Sequence, residues 1–507
     1  MKRLFQGLAL FVVIVSVIWV VVLWRWQVTS RDMSTRDIVV YLGLLPIAVF
    51  MLVLMGRWAW RGADERATRR AAEASASAPA AATPAAGSDE AERHATVQLL
   101  AACLVTAAGS SASELVSAAR DGTPRPGLDA ELRDDDGLPI LSARVADVDG
   151  LKTEVEADTE PHLALLRSQH PEWADHVISE HAWRALSSLR TPLASAVDVL
   201  APWADALVAE DARQPAEVGR RVDTGSARCV RVLIGWPVGW NALEQELGRI
   251  VATEWLTRSG ARALPGTLFA LNAQAVGGEE LLLQADGLMQ TLARANRSEP
   301  VIVAACHSTV SAVAVAELED AGVLHHAQKR PKGQFAAEAA AALVLAGANW
   351  PAAPDADQPP PHLHRPALLR RDKSIDALGK TGPQTAMQAI DSALGASRLD
   401  AAAVASLVGD ADQHTERATE FYRAAADTLP HLDASDDIRA IGHVTGAVGG
   451  VGALLVVACA AEVARSAEQP CMALTVGDGH ARLALVVLPS APVAPGLPDE
   501  ARDATSA

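Results

Sequence analysis

The spacing of apolar and polar residues divides the 507-residue chain into three stretches. Leu4–Trp24 is an apolar run ending on the aromatic and basic edge Trp24-Arg25-Trp26, and Ile38–Trp60 is a second, interrupted only by Arg57. A hydrocarbon core of about 30 Å takes roughly 20 apolar helical residues, and both runs meet that length. No small-x-small cleavage site follows the first run before Arg31-Asp32, so the pair predicts a transmembrane hairpin over residues 1–60 rather than a signal peptide. Lys2 and Arg3 precede the first run, and Arg57, Arg61, Arg66, Arg69 and Arg70 follow the second. The positive-inside rule then predicts a multi-pass protein of a bacterial inner membrane, held in the bilayer through residues 4–24 and 38–60, with both termini and the large domain in the cytoplasm. Residues 61–90 turn from basic to Ala/Ser/Pro-rich, the composition of a tether.

From residue 91 the pattern changes to short apolar runs between amphipathic ones. Pro139–Val145 and Cys229–Gly235 read as strands, and Thr96–Thr106 as a buried strand or an apolar helix. Trp173–Leu200 reads as largely helical, and a further helix follows Trp236-Pro237-Val238-Gly239-Trp240 and runs through Leu256. Such alternation predicts an α/β layered fold. Ala353–Arg365, with Pro359-Pro-Pro-His-Leu-His364, reads as an exposed loop between two halves, and residues 491–507 as a disordered tail.

The most unusual stretch is Ile438–Val457, where a strand-like piece runs through His443 into a Gly/Ala-rich apolar segment. Gly446, Gly449, Gly450 and Gly452 each cost a helix about 1 kcal/mol relative to Ala, so a helix here predicts a second backbone packed against them. Two other readings fit parts of it. The uncharged run Val444–Ala461 approaches a membrane span and Gly446 with Gly450 makes a small-xxx-small pair, but Glu462 follows at once. As a dinucleotide loop the glycines lack the G-x-G-x-x-G order that admits a pyrophosphate.

Other segments stand in a telling order with this one: Glu299–Val310, Ala316–Leu324, Arg330–Leu345 with Phe335 and Glu338, the helix-like Thr385–Leu394, the strand-like Ala405–Gly409, and the closing hairpin Cys471–Leu488. Together with Ile441-Gly442-His443 they resemble the β-ketoacyl synthases of the thiolase-like superfamily, where Asn-Ile-Gly-His precedes a Gly/Ala-rich helix. The resemblance covers residues 270–490 and extends less clearly to 95. It implies a thiolase-like layered αβαβα fold of two similar halves over 91–490, preceded here by the two transmembrane helices, and it suggests a homodimer.

The resemblance also implies a nucleophilic cysteine at a strand-to-helix elbow, activated by the helix N-terminus, and two histidines. In register, the elbow falls near Asn272–Gly278, which has no cysteine. Cys306 follows in the next strand, too close to Gly333 to be the elbow. Asp410-Ala411-Asp412-Gln413-His414 stand where the first histidine belongs, and His414 reads as a capping or solvent-facing residue. The lysine expected before Ile-Gly-His is replaced by Ile438, with Arg439 beside it. His443 alone stays in register, as the one candidate remnant of the catalytic set.

Composition narrows the field further. A formal net charge of −17 disfavours nucleic acid as a partner. The five cysteines, Cys103, Cys229, Cys306, Cys459 and Cys471, lie in apolar runs without paired spacing and read as reduced core residues. His325-His326 and His362-x-His364 lack a carboxylate or cysteine at ligand spacing, and no cofactor motif is present, so neither metal nor cofactor is expected. Trp236 and Trp240 flank a Pro-Gly turn and suit either core packing or a pocket wall.

The expectation is a catalytically silent condensing-enzyme-like protein that binds a protein partner at the cytoplasmic face, as an adaptor of the kind found among type VI secretion accessory proteins. The alternative is an acyl-thioester-processing enzyme using His443 without the cysteine, with an oxyanion donor near Val276-Gly277.

Overall fold

The computed structural model describes residues 90–489 except 91, 124, 214–229, 259–263, 352, 354–357 and 376–381. The expected hairpin over 1–60, the tether and the tail over 491–507 lie outside these residues.

The strands are β1 (Thr96–Thr106), β2 (Gly127–Arg133), β3 (Pro139–Ala143), β4 (Val230–Trp236), β5 (Phe269–Ala275), β6 (Val301–Ser308), β7 (Ala336–Gly347), β8 (His362–His364), β9 (Ala367–Arg370), β10 (Ser406–Gly409), β11 (Ile438–Ala440), β12 (Cys471–Leu474) and β13 (Ala481–Leu488). The helices are α1 (Ala112–Asp121), α2 (Val148–Gln169), α3 (Glu180–Val199), α4 (Ala204–Arg213), α5 (Ala242–Arg258), α6 (Gly278–Arg294), α7 (Ala312–Asp320), α8 (Gln384–Ser397), α9 (Thr415–Thr428), α10 (Gly442–Thr445) and α11 (Val451–Ala467).

The strand order reveals the two halves. In the first, β5-β4-β6-β7-β1 are joined by two parallel and then two antiparallel pairings. In the second, β11-β10-β12-β13 followed by β8 repeats the same sequence of directions. The short strand β8 pairs with both β1 and β13 and so joins the halves into one 13-stranded sheet. This corrects the end of the expected exposed loop Ala353–Arg365: Pro359 is exposed, but the chain is buried from Pro361 to His364. His362, Leu363 and His364 are all buried, because Leu363 enters the core and the three backbones fill the seam.

Side-chain alternation builds the layers, since successive residues of a strand face opposite sides of a sheet. Val301, Val303 and Ala305 of β6 and Leu483, Leu485 and Val487 of β13 point into one central core with α6 and α11. Ile302 and Ala304 point the other way, into a core shared with α2, α3 and α5. Leu407, Met472 and Leu474 of the second half face α8 and α9 in a third. The succession is helices, sheet, helices, sheet, helices.

Glu180–Ala209 forms a run apolar and long enough to cross a membrane, yet it carries Arg184, buried in an ion pair with Glu338 of β7. That charge, and contacts along β6, β7 and β1, make it a core helix of this domain.

The glycine-rich segment differs from a single helix. Gly446 (φ +70°) and Gly449 (φ +52°) are left-handed and break α10 from α11, a conformation glycine adopts without steric cost. Only Val451–Ala467 is the long helix, and it is almost wholly buried. The predicted second backbone is present: a side chain at Gly278 would collide with the carbonyl of Gly450. The start of α6 and the start of α11 cross there.

Candidate functional site

The crossing lies at the strand-to-helix elbow between β5 and α6, and a cavity of about 520 Å³ opens beside it. Its wall takes Val276, Gly277 and Glu279 from the elbow, His307 from the end of β6, Asp410 and Asp412 from the turn after β10, and the glycine loop 446–450. Both halves therefore contribute their equivalent loops. Gly277 caps α6 in an extended conformation without a side-chain hydrogen bond, and Glu279 and Glu280 fill the first turn, where negative charge suits the helix dipole.

Glu279 is only 5 % exposed. Burial pushes its carboxyl up to about 7, with the charge of Asp410 adding to the rise and bonds from its own backbone and Thr475 opposing it. Burial likewise raises Asp410, against hydrogen bonds from the N–H groups of Val476 (2.6 Å) and Gly477 (3.0 Å). Gly477 must lack a side chain, since a Cβ would stand 2.6 Å from the Asp410 carboxylate. Asp412, also buried, accepts from the His414 N–H at 2.9 Å and faces Arg417 at 3.5 Å.

By alternation along β6, His307 belongs to the face opposite Ile302 and Ala304, and it lines the cavity against Gly449, where an added Cβ would come 2.8 Å from Nδ1. Burial, with the nearby charge of His181, pushes its pKa down to about 4, so the ring is neutral near pH 7. Cys306 precedes it in the wall, but its side chain belongs to the outward core with α3 and α5. Burial pushes that thiol far above its ordinary range, which removes the thiolate that nucleophilic chemistry requires. Trp236 and Trp240 stack at 5.1 Å and 15° in the wall, buried, with no hydrogen-bond partner for either indole N–H. They serve as both core and pocket wall.

The residues singled out from sequence separate in space. The elbow expected at Asn272–Gly278 is there, and Val276-Gly277 occupy it. His443, the candidate remnant, is exposed on α10 and lies outside the cavity wall. Desolvation lowers its pKa, Asp412 opposing and Arg125 adding. His414 stands just before α9, near Glu416 at 3.6 Å, and is likewise outside the wall. Phe335 lines the cavity, whereas Glu338 is sealed in the scaffold by Arg184. Asp410 lines the cavity from the segment that stands where the first histidine belongs, while Glu279 and His307, also in the wall, were not singled out; an acidic residue in a helix's first turn is ordinary, and nothing in the one-dimensional pattern sets Glu279 apart.

His326 gains carboxylates that spacing did not reveal: Asp134 (3.9 Å) and Asp136 (3.8 Å) approach its Nε2 from a distant loop. Its Nδ1 accepts from the N–H groups of Gln328 and Lys329, so the neutral ring carries its proton on Nε2 and turns an N–H, not a lone pair, toward the carboxylates. Lys329 also pairs with Asp136. At 3.8–3.9 Å the two carboxylates are electrostatic neighbours of Nε2 rather than hydrogen-bond partners, and Nδ1 is already occupied.

No protein-family model and no curated protein matches the chain. Among solved structures it is similar to the ketosynthase from module 6 of the bacillaene synthase of Bacillus subtilis 168, with TM-score 0.51, 9 % identity, and coverage of 78 % of this chain and 72 % of that one. It is also similar to a type II PKS ketosynthase in complex with its acyl-carrier protein, with TM-score 0.50, 11 % identity, and coverage of 78 % and 100 %. The same expected order of elements, elbow and closing hairpin are present, and the chain has a thiolase-like ketosynthase fold.

Proposed function

We propose that this chain is a non-condensing member of the ketosynthase fold, anchored in a bacterial inner membrane by residues 4–24 and 38–60, that binds a protein partner at the cytoplasmic face as an adaptor. The observation that carries this reading is the elbow: Val276-Gly277 stand where the fold's nucleophile belongs, and the turn after β10 supplies Asp410 and Asp412 in place of a histidine. A ketosynthase that takes an acyl-carrier protein as its partner is among the similar structures, which supports a protein-binding use of the scaffold. Membership in a type VI secretion apparatus rests on the architecture alone.

The full chain in detergent is to be incubated with acyl-thioesters and followed for covalent acylation and turnover, with His443→Ala beside it. The expected result is neither. Turnover that His443→Ala abolishes would establish the alternative, an acyl-thioester enzyme, although His443 lies off the cavity wall. Co-purification from native membranes then tests the adaptor role, and the absence of a stable partner counts against it.

A homodimer belongs to the same proposal. β5 closes one end of the sheet with an uncharged, half-buried edge, whereas β11 at the other end is three residues long and carries Arg439. Uncharged edges invite another strand. Ala273→Lys should shift the full chain toward monomer in analytical ultracentrifugation; an unchanged sedimentation profile would remove β5 from the interface.

A further inference from the structure

A second cavity, of about 550 Å³, lies farther along α6 than the elbow. The elbow cavity takes the first turn of α6, whereas this one takes the helix face that runs from Leu282 through Asp286 and Met289 to Arg294; steps of three to five residues keep one side of a helix in line. Its floor crosses the seam between the halves: Val97 of β1, Leu345 of β7, Leu363 of β8 and Leu485 of β13 meet Leu282 and Met289 there. Protein interiors are packed close to the density of organic crystals, so apolar side chains around an open space of this size forgo contacts that a guest would restore. A space of about 300–1,000 Å³ with an apolar lining and a few placed polar groups is the form of a small-molecule site.

The charges of the lining are met within the protein. Arg294 binds Glu92 through bonds of 2.8 and 2.6 Å, Arg297 pairs with Glu299, and Arg365 pairs with Asp286. His364, pushed down to about 4 by burial with His94 and His362 adding, is neutral near pH 7. A cation in the cavity would meet three guanidiniums, and an anion would meet Asp286 and Glu92, so an uncharged molecule enters at the least cost. One polar atom stays open to it. The Asp286 side chain is 9 % exposed, and its Oδ2 accepts from Arg365 Nε and Nη2 (3.2 and 3.1 Å) and from Gln290 Nε2 (2.5 Å). Oδ1 accepts no hydrogen bond among the described residues, yet it is not sealed from solvent. An ionised carboxylate only accepts, so the group that suits this oxygen is a donor.

We propose that this second cavity binds an uncharged, largely apolar molecule that carries a hydroxyl group, its body on the floor of aliphatic side chains and its O–H donating to Asp286 Oδ1. Arg365 and Gln290 hold the carboxylate and act as positioning residues. The elbow takes no part, so the site stands whether or not acyl thioesters react there. Asp286→Asn turns the arrangement round. Arg365 and Gln290 are donors and keep the amide oxygen, which leaves the amide NH2 where Oδ1 was. The cavity then presents a donor, and its preference should pass from a hydroxyl to a carbonyl.

The test uses four probes that share one bicyclic body and differ at the same carbon: tetralol (hydroxyl), tetralone (carbonyl), aminotetralin (ammonium) and tetralin carboxylate. Binding to the full chain in detergent is measured by calorimetry near pH 7, each titration beside one of Ala293→Trp in the same detergent, which accounts for uptake by micelles. Ala293 is an exposed residue in the last turn of α6 and part of the cavity wall, so the larger ring plugs the space while near-UV circular dichroism reports an intact fold. Tetralol should bind the wild type saturably and Ala293→Trp not at all. The other three probes should bind the wild type about tenfold or more weakly, a difference of about 1.4 kcal/mol. Asp286→Asn should reverse the order of tetralol and tetralone, which a merely structural aspartate would not do. No saturable tetralol binding would overturn the inference, as would binding that Ala293→Trp leaves unchanged, another probe binding as tightly as tetralol, or a folded Asp286→Asn that keeps the wild-type order.

Discussion

Glu338 and Glu279 are both buried glutamates near the end of a strand or the start of a helix, and their surroundings could hardly differ more. Glu338 accepts from Arg184 at 2.8 and 2.7 Å, from Ser308 at 3.0 Å and from the Val145 N–H at 2.9 Å. Glu279 has a hydroxyl, its own backbone and two other carboxylates around it. The first is a sealed ion pair that ties α3 to β7 and β6; a second such knot, Glu420 with Arg371 and Arg482, serves the other half. The scaffold thus holds buried carboxylates on guanidiniums twice over, whereas the groups bearing on Glu279 include no guanidinium.

Removing one partner from the sealed pair is the strongest way to expose that difference. Arg184→Ala leaves Glu338 beneath the sheet without its guanidinium, held only by the Ser308 hydroxyl and the Val145 N–H, and should lower the stability of the full chain by about 3–5 kcal/mol. Thermal and urea unfolding followed by near-UV circular dichroism would read it. A loss below about 1 kcal/mol, the range of exposed pairs, would mean that water reaches the pair and that the contrast is false.

The cavity glutamate should act in the opposite direction. Its carboxyl is raised from an ordinary 4.5 to about 7 in the folded chain, so the native state holds the proton more tightly than the unfolded one. The stabilisation is complete below about 4.5 and is lost as pH rises through about 7, by at most on the order of 3 kcal/mol. Glu279→Gln stays neutral throughout, so the variant should gain on the wild type between pH 5 and pH 8. Parallel stability curves for the two proteins would show that Glu279 is solvated or paired after all.

How much of this could be read beforehand follows from what one dimension records. Strand alternation is local, so β4, β6, β10 and the β12–β13 hairpin were visible as apolar runs, and the elbow followed from their order. The seam strand β8 was not, because Pro359-Pro-Pro looks like a loop and three buried residues are too few to show a period; only the sheet on either side makes them a strand. The break at Gly446 and Gly449 was hidden for a related reason. Glycine fits both a closely packed helix and a left-handed turn, and the choice depends on His307 and Gly278 from another half of the sheet. The site itself was legible as an absence, a missing cysteine and histidine. Its positive content, Glu279 facing Asp410 across more than a hundred residues, arises only from folding.

The smallest effect belongs to the residue that sequence favoured most. His443 keeps its register beside Gly442, where a Cβ would come 2.5 Å from the Asp410 carbonyl, so backbone packing alone can hold that register. His443 is exposed as a residue, its ring only partly desolvated, and lies outside the cavity wall, and an exposed substitution away from special features changes stability by about 0.5 kcal/mol or less. His443→Ala should therefore leave the unfolding midpoint where it was, while Gly442→Val should lower it. A His443→Ala variant that destabilises the fold as much as Gly442→Val would show that the ring itself holds the turn. If instead the glycine is intolerant and the histidine is not, the family-like register at this position records the packing of a turn and not a surviving catalytic group.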